Sequence, residues 1–517
     1  PDAEKESYNE QFYLYLALTK ASEQVVLTYS VMTSKGESKR PSYLINRVKQ
    51  VFPKLVVEKE EMDTSYEKIM GSDKGKSYLI SHLADGTYAK DVIWWEIASH
   101  YEKKTPGILK DLLGIREKRA GNNSLKKEAA KRLFGDVLYG SVTRFEQYVQ
   151  CPFAFFAHYG LLLNERQQYE ISSLDHGNLF HQAMEHLSHE LEQRNKNWQD
   201  LSEKEAVLLA AECVDAVAER YQGRKYFQSN RVSFMLKRLK NEVVHSVWAM
   251  WHQMQEGDFV QTYTEKGFRG NDKEWESMCI PFGEDAKICL NGVIDRVDLC
   301  SLPGEELIKI IDYKSSDSQD LLLAKVYYGL QMQLLTYLEA AKEMVEKEHK
   351  GKEAVPAAML YYAIKEKNLD WKPESEEEYE KRVLDSMKCK GYVNEEPEII
   401  GHLDKSVVNG GELIPGQKSG VVPVAVDKKG LLKKNSGALS TKDFETLIAH
   451  TKEKMKECGK AILDGKIEAI PYVYEDNDGC TYCPYGSVCG HESKKDGVRE
   501  MKKMSDDEVW EALYGDD

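Results

Sequence analysis

Asp312 and Lys314 stand two residues apart in the run IIDYKSS. On a strand, side chains two apart share a face, so a carboxylate and an ammonium point the same way. A carboxylate that is to hold Mg²⁺ firmly needs a second one beside it, and the preceding run GVIDRVDL offers Asp295 and Asp298. These two have opposite parity, so on a regular strand one of them alone faces the site. Asp295 is the expected one, with Asp298 supporting Arg296 or standing behind the ligands. His181 adds a nitrogen donor from a helical run. A metal held by His181, Asp295 and Asp312 would lower the pKa of a coordinated water and stabilise charge on a scissile phosphate, while Lys314 orients the nucleophile or neutralises developing charge. The chemistry expected is phosphodiester hydrolysis.

A second set of residues brackets the first. Cys151 stands alone in QCPFAFF, and Cys480, Cys483 and Cys489 sit together in CTYCPYGSVC near the far end. Three clustered thiols favour metal ligation over a disulfide framework, and Cys151 could supply a fourth ligand through the fold. Zinc is the generic reading of such a set and an iron–sulfur cluster the alternative; spacing alone does not choose. In either case the ligands staple the start of a domain to its end, which points to a structural role. The other six cysteines, Cys213, Cys279, Cys289, Cys300, Cys389 and Cys458, lack ligand spacing, and buried reduced thiols are expected for most of them. Phe153, Phe155 and Phe156 near Cys151 most simply pack a core, although base stacking uses the same residue types.

Taken singly, each of these residues has a plain explanation. An Asp-x-Lys on a strand is usually an exposed ion pair, and a histidine on an amphipathic helix is usually a core histidine. Their order carries more. Gly177-x-x-x-His181 lies on a helix whose apolar positions Phe180, Met184, Leu187 and Leu191 repeat at helical spacing. A strand with Asp295, a strand with Asp312 and Lys314, and a helix with glutamine and tyrosine follow in sequence.

The elements that must position these groups form a mixed α/β pattern. The run FYLYLALTKASEQVVLTYS begins as a helix and passes into a β-type run at Val25 to Tyr29, after which the chain reads as helical and charged to about residue 135. A helix starts at an N-cap candidate, Ser141 or Thr143, and continues through the aromatic run around Cys151. Helices fill residues 203 to 255. AKICLNGVIDRVDLC and ELIKIIDYKSS read as strands joined by the SLPGE turn, a long amphipathic helix runs from Leu321 to Glu346, and AVPAAMLYYAI reads as a further strand. Residues 365 to 440 are rich in Lys, Glu and Gly, and a long, partly ordered insertion is expected there.

The 517 residues suggest two or more domains. Hydrophobic residues make up 41% and charged residues 30%, a globular balance, and no run of about 18 apolar residues is present to span a bilayer. A soluble, cytoplasmic protein with no membrane partner is expected. The chain opens at Pro1 with neither a methionine nor a secretory signal, and reads as a fragment or tail of a longer polypeptide. Its net charge of −15 counts against general affinity for polyanions, so DNA binding would need local basic clusters or a partner. Lys103 to Arg132 is one such stretch, with a solvated helical face as the equal alternative.

From about Ser141 onward, the Gly177–His181, Asp295 and Asp312/Lys314 motifs resemble the RecB-like nuclease domains of the PD-(D/E)XK superfamily. With the flanking cysteines, the chain is similar to the nuclease subunits of bacterial AddAB-type helicase-nucleases. The resemblance implies a restriction-endonuclease-like α/β domain with added helices over residues 136–517, with His181, Asp295 and Asp312 as Mg²⁺ ligands and Lys314 as a catalytic group. A fourth motif lies in GLQMQLLTYL: Gln333 with Tyr337 fits one helical turn, and Gln331 matches the family position almost as well. The resemblance reverses the zinc reading and implies a [4Fe–4S] cluster on Cys151, Cys480, Cys483 and Cys489. It further implies an AddA-type helicase-nuclease partner in a heterodimer, a single DNA strand fed from unwound duplex, degradation of the 5′-ended strand, and a role in double-strand-break recombination in bacteria.

Residues 1–135 resemble the end of a superfamily 1 helicase-like domain, since Tyr15, Ala17, Thr19 and Ala21 match its last motif. Lys20 replaces the arginine that meets ATP phosphates, and the chain has no Gly-x-x-x-x-Gly-Lys-[Ser/Thr] loop, so no ATPase activity is expected of this segment. Two alternatives remain open: a catalytically dead DNA-binding scaffold around zinc, and a stand-alone nuclease of the CRISPR-adaptation type. The complete Asp, Asp and Lys set speaks against the first, and the N-terminal tail and the insertion against the second.

Overall fold

The computed structural model describes residues 3–31, 38–57, 72–85, 91–119, 124–164, 173–222, 230–269, 275–283, 286–314, 320–364, 375–475, 477–491 and 497–515. The chain divides into two compact units, Pro1–Arg119 and Ala120–Asp517. That boundary falls before the expected residue 135 because the segment after it is tied into the second unit. Leu125 N–H donates to Gly465 O at 2.8 Å and Lys127 pairs with Asp464 at 2.7 Å.

The first unit is helical: α1 (Ala3–Thr19), α2 (Tyr43–Val51), α3 (Ser72–Asp85), α4 (Val92–Lys104) and α5 (Ile108–Arg119). Its core is Leu79, Leu83, Trp94, Ala98 and Tyr101. Asp91 caps α4 by accepting from Ile93 and Trp94 N–H, which satisfies two of the donors a helix start leaves open. Val25 to Tyr29, expected as a strand, forms none: β-type residues need a neighbour for their backbone groups, and among the described residues they have no strand partner. Of the helicase-like motif, Tyr15, Ala17 and Thr19 lie exposed on α1.

The second unit opens with α6 (Lys127–Phe134), β1 (Val137–Gly140), α7 (Val142–Gln150) and α8 (Pro152–Phe155). The aromatic run expected as one helix is thus broken at Cys151, whose extended backbone ends α7 and starts α8 with Pro152 at its first position. Next come α9 (Ser173–Gln193), α10 (Glu203–Gln222), α11 (Asn230–Gln255), β2 (Val260–Phe268), β3 (Met278–Pro281), β4 (Lys287–Leu290), β5 (Gly292–Leu302) and β6 (Glu305–Lys314). The helix expected over 321–346 is two pieces, α12 (Leu323–Tyr327) and α13 (Gln333–Glu348). Gly329 separates them at φ +77°, a left-handed conformation that glycine adopts without strain. There follow β7 (Glu353–Ala363), α14 (Glu376–Ser386), β8 (Lys390–Asn394), α15 (Pro397–Leu403), the short hairpin β9 (Val408–Asn409) and β10 (Glu412–Leu413), and β11 (Ala438–Leu439). The chain closes with α16 (Thr441–Leu463), β12 (Tyr472–Tyr474), β13 (Asn477–Asp478), α17 (Gly486–Cys489), β14 (Arg499–Glu500) and α18 (Asp506–Tyr514).

Six strands form the central sheet in the order β11-β8-β7-β6-β5-β2. β5 and β6 are an antiparallel hairpin, and β6 runs parallel to β7 through the crossover helices α12 and α13. Even-numbered residues of β6 and odd-numbered residues of β5 pack towards α7, α13 and α16, where Val297, Leu299, Ile308 and Ile310 lie in one core. The opposite parity, Leu307, Ile311 and Tyr313, packs under α9, α10 and α11 in a second core. Residues 375–440, expected as a partly ordered insertion, instead supply β8 to the sheet and bury Val383, Met387, Val393, Ile400, Val407 and Val422. Their apolar residues are sparse among polar ones, so composition hides them; residues 365–374 lie outside the described residues. Cys279 and Cys289, expected as reduced thiols, are joined in a disulfide, because β3 and β4 place them directly opposite one another. No helix among the described residues is long and apolar enough to cross a membrane.

Within the basic stretch Lys103–Arg132, residues 120–123 lie outside the described residues; Lys127 and Lys131 pair with Asp464 and Asp136. Those ion pairs argue against a continuous basic face there.

Gly391 in β8 has φ +137°, and a Cβ on it would sit 2.3 Å from Met359 O. Gly391→Ala is expected to destabilise the second unit by roughly 3 kcal/mol, read as a lowered urea midpoint of its unfolding transition.

Candidate functional site

The β5–β6 hairpin sets the site. Asp295, in β5, lies 8% exposed, and Asp312, in β6, 3%. Asp295 Oδ2 accepts from the Tyr313 backbone N–H at 2.7 Å, which fixes the carboxylate against the neighbouring strand. Lys314 Nζ lies 2.5 Å from Asp312 Oδ2. Asp312 Oδ2 is fully buried, and this ammonium is its close partner. Such an oxygen beside a second buried carboxylate is what a cation would satisfy.

Asp298 has the other parity and faces the opposite core. It pairs with Arg296 at 2.7 Å and Lys309 at 2.8 Å, and all three side chains are buried. It therefore stands apart from Asp295 and Asp312 and supports Arg296.

From α9, His181 reaches the same carboxylates. Its Nδ1 lies 2.9 Å from Glu265 Oε1 and 3.6 Å from Asp295 Oδ1. His181, Glu265 and Asp295 present ligand atoms all within 4.8 Å of one another. Of the expected trio His181, Asp295 and Asp312, the compact set holds the first two with Glu265, while the oxygens of Asp312 face Lys314 and Gln333.

Sequence reasoning missed Glu265. β2 pairs with β5 through Thr264↔Arg296 and Lys266↔Ile294, which sets Glu265 level with Asp295. It adopts φ +47°, where a non-glycine residue is strained by on the order of 1 kcal/mol or more. No spacing in VQTYTEKGF marks it; the strand register brings it in.

Of the two glutamines, Gln333 faces the site. Its Nε2 donates to Asp312 Oδ1 at 3.0 Å and to Tyr337 OH at 3.1 Å, and its Oε1 accepts from Lys314 Nζ at 3.1 Å. Gln331 is used elsewhere, accepting from Leu322 N–H and donating to Asp320 O, each at 3.0 Å. α13 starts at Gln333, which leaves Gln331 in the connection from α12.

Electrostatics follow from burial. Burial pushes the Asp295 carboxyl well above its usual range, the adjacent Asp312 adds to this, and His181 opposes it. Asp312 is also raised by burial, with Lys314 pulling the other way. Burial would lower the His181 imidazole, but its bond to Glu265 and the Asp295 charge hold it above the ordinary value. Two neighbouring carboxylates that resist ionising together form a pair a divalent ion would relieve.

The cysteine set lies in the same unit. Cys151, 6% exposed, packs with Ala154, Ala157, Tyr485 and Cys483. Burial raises its thiol, the Ala154 and Phe153 N–H groups lower it, and the electrostatic effect of Cys489 and Cys483 reaches it. Cys480 in turn feels Cys151, Cys483 and Cys489. All four are therefore neighbours, although Cys151 is over three hundred residues away in sequence. Tetrahedral zinc at a Zn–S length of about 2.3 Å needs sulfurs about 3.8 Å apart. No three of these sulfurs lie within 4.8 Å of one another, so the four cysteines do not form a compact zinc ligand set as they stand.

A family model described as the PD-(D/E)XK nuclease superfamily matches residues 140–490, more than half of the chain. The chain is 34% identical over 527 aligned residues to the B-type subunit of the ATP-dependent helicase/deoxyribonuclease of Lachnoclostridium phytofermentans, an alignment covering 100% of this chain and 44% of that protein. It is 31% identical over 531 residues to the corresponding protein of Clostridium perfringens strain 13, covering 99% and 45%. For that of Thermoanaerobacter sp. strain X514 the figures are 30% over 525 residues, covering 99% and 45%. The chain thus spans less than half the length of these relatives.

Glu265→Ala is expected to weaken Mn²⁺ binding by about tenfold or more with the fold intact. Calorimetric titration checks this; unchanged affinity would reduce Glu265 to a partner of His181.

Proposed function

The chain belongs to the PD-(D/E)XK nuclease superfamily, and from that premise we propose that it hydrolyses DNA phosphodiester bonds at the His181, Glu265, Asp295, Asp312 and Lys314 site. One observation carries the reading. Asp312 and Lys314 form a buried ion pair on the sheet face shared with Asp295, a second buried carboxyl that Asp312 helps hold above its usual range. An exposed structural ion pair would have neither the burial nor the neighbouring carboxylate.

A divalent ion, Mg²⁺ in this reading, supplies when bound a Lewis acid for the phosphate oxygen and a water of lowered pKa. Asp295, Asp312, His181 and Glu265 are the groups that would hold it. Lys314 Nζ faces the phosphate and offsets charge as it develops. Gln333 fixes Lys314 through its Oε1 and Asp312 through its Nε2, and Tyr337 holds Gln333 from the next helical turn.

Cys151, Cys480, Cys483 and Cys489 would hold a [4Fe–4S] cluster in a structural role. The relatives are named as B-type subunits of an ATP-dependent helicase/deoxyribonuclease. By that similarity this chain is part of such a subunit, paired with an AddA-type helicase-nuclease in a heterodimer that resects double-strand breaks for recombination in the bacterial cytoplasm. The partner would deliver a single strand from unwound duplex, the 5′-ended one, to this site. Channelled delivery reconciles a net charge of −15 with a DNA substrate. Residues 1–119 would then be the end of a helicase-like domain that does not itself hydrolyse ATP.

Asp312→Ala and Lys314→Ala are each expected to lower metal-dependent cutting of single-stranded DNA by about a thousandfold, with circular dichroism unchanged. Cutting that survives both substitutions, or that persists in EDTA, would refute the assignment.

Protein purified without oxygen is expected to carry iron and acid-labile sulfide and to absorb visible light. Cys480→Ser should remove all three signals and lower the thermal midpoint. A colourless protein with stoichiometric zinc would overturn the cluster.

A further inference from the structure

Helix α13 carries Gln333 as its first residue, yet has no cap of its own. Its N-cap position is Met332, whose side chain offers no oxygen, and the first N–H groups of a helix have no partner within it. They find one in another helix. Glu146, in the middle of α7, accepts from Met332 N–H at 2.6 Å and from Gln333 N–H at 3.1 Å through a single oxygen, Oε1. A carboxylate there also meets the positive end of the α13 dipole.

The placement reaches the reacting groups in one step. Gln333 is the residue that touches Asp312, Lys314 and Tyr337, and its backbone N–H is one of the two that Glu146 holds. Glu146 is itself fixed by its helix, whose neighbouring residues Val142, Phe145, Tyr148 and Val149 are buried.

We propose that Glu146 is a positioning residue for the nuclease site, capping α13 from α7 so that Gln333 holds Asp312 and Lys314 in line. The role rests on the nuclease reading above, and it assigns Glu146 no contact with metal or substrate. Without the cap the first turn of α13 frays, and Gln333 is the residue released.

Two variants of matching size separate the cap from mere packing. Glu146→Gln keeps an oxygen acceptor; Glu146→Met fills the same space with none. Hydrogen exchange of the peptide covering residues 331–337, followed by mass spectrometry in the whole chain, reads the cap directly. Single-turnover cutting and DNA affinity, measured on the same samples, read its effect. Glu146→Met is expected to speed exchange in that peptide, and no other, by about tenfold, and to slow cutting by about tenfold with DNA affinity unchanged. Glu146→Gln should stay near wild type in both. Equal behaviour of the two variants, or slowed cutting in Glu146→Met with unchanged exchange, would overturn the proposal. If the wild-type chain cuts no DNA at all, the nuclease reading fails while the exchange comparison still decides whether Glu146 caps α13.

Discussion

Two carboxylates, Asp295 and Asp312, are held inside a sheet where water cannot screen them, and the rest of the site is arranged around that repulsion. Each is raised by burial, and Asp295 further by the nearness of Asp312. Neither can move away. Asp295 is pinned by the Tyr313 backbone, and Asp312 by Gln333 and Lys314. In a low dielectric an unrelieved pair of this kind is costly, and its natural complement is a doubly charged ion. His181 and Lys314 relieve it in part. Glu265, drawn in at a strained φ, adds a third carboxylate where structural stability alone would avoid one. Strain and repulsion concentrated at one point of an otherwise closed core mark the place where chemistry overrides packing.

The same two strands carry a second charged cluster on their other face, and the contrast is instructive. Asp298 is as buried as Asp312, yet its pKa is lowered: burial would raise it, but Arg296 and Lys309 together overcome that. Each of its oxygens is used, Oδ1 by Arg296 Nε and Oδ2 by Arg296 Nη2 and Lys309 Nζ. This cluster is internally satisfied and locks β5 to β6 through Asp298↔Lys309, which are register partners. The face towards α13 is not satisfied in that way. One hairpin thus supplies a closed ionic clamp on one side and an open ligand set on the other, and strand parity alone divides them.

Parity is also why so much of the site was legible in the sequence. Asp312 and Lys314 on one face, Asp295 chosen over Asp298, and His181 on a helix all follow from local periodicity, which strands and helices obey once they form. What local periodicity cannot give is register between segments. Glu265 joins the site through the β2–β5 ladder, and Glu146 meets α13 across 186 residues. The Cys279–Cys289 pair likewise depends on which residues of β3 and β4 stand opposite. Gln331 and Gln333 could be told apart only once α13 was seen to start at Gln333. Val25 to Tyr29 had the composition of a strand but no strand partner among the described residues. Residues 375–440 had the composition of a loop and a neighbour, β7, that made a strand of them.

Cys151 and Glu146 belong to one short stretch of chain. α7 ends at Cys151, and the same end is gripped by the C-terminal part of the chain. Arg499 donates to Val149 O and Gln150 O, and Tyr148 OH donates to Lys466 O at 3.0 Å. This short helix therefore has Cys151 at one end and Glu146, under the first turn of α13, near the middle. Contacts between residues more than three hundred apart restrict a chain far more than local ones do. The contacts that hold the end of α7 thus also bear on the helix that presents Glu146 to α13.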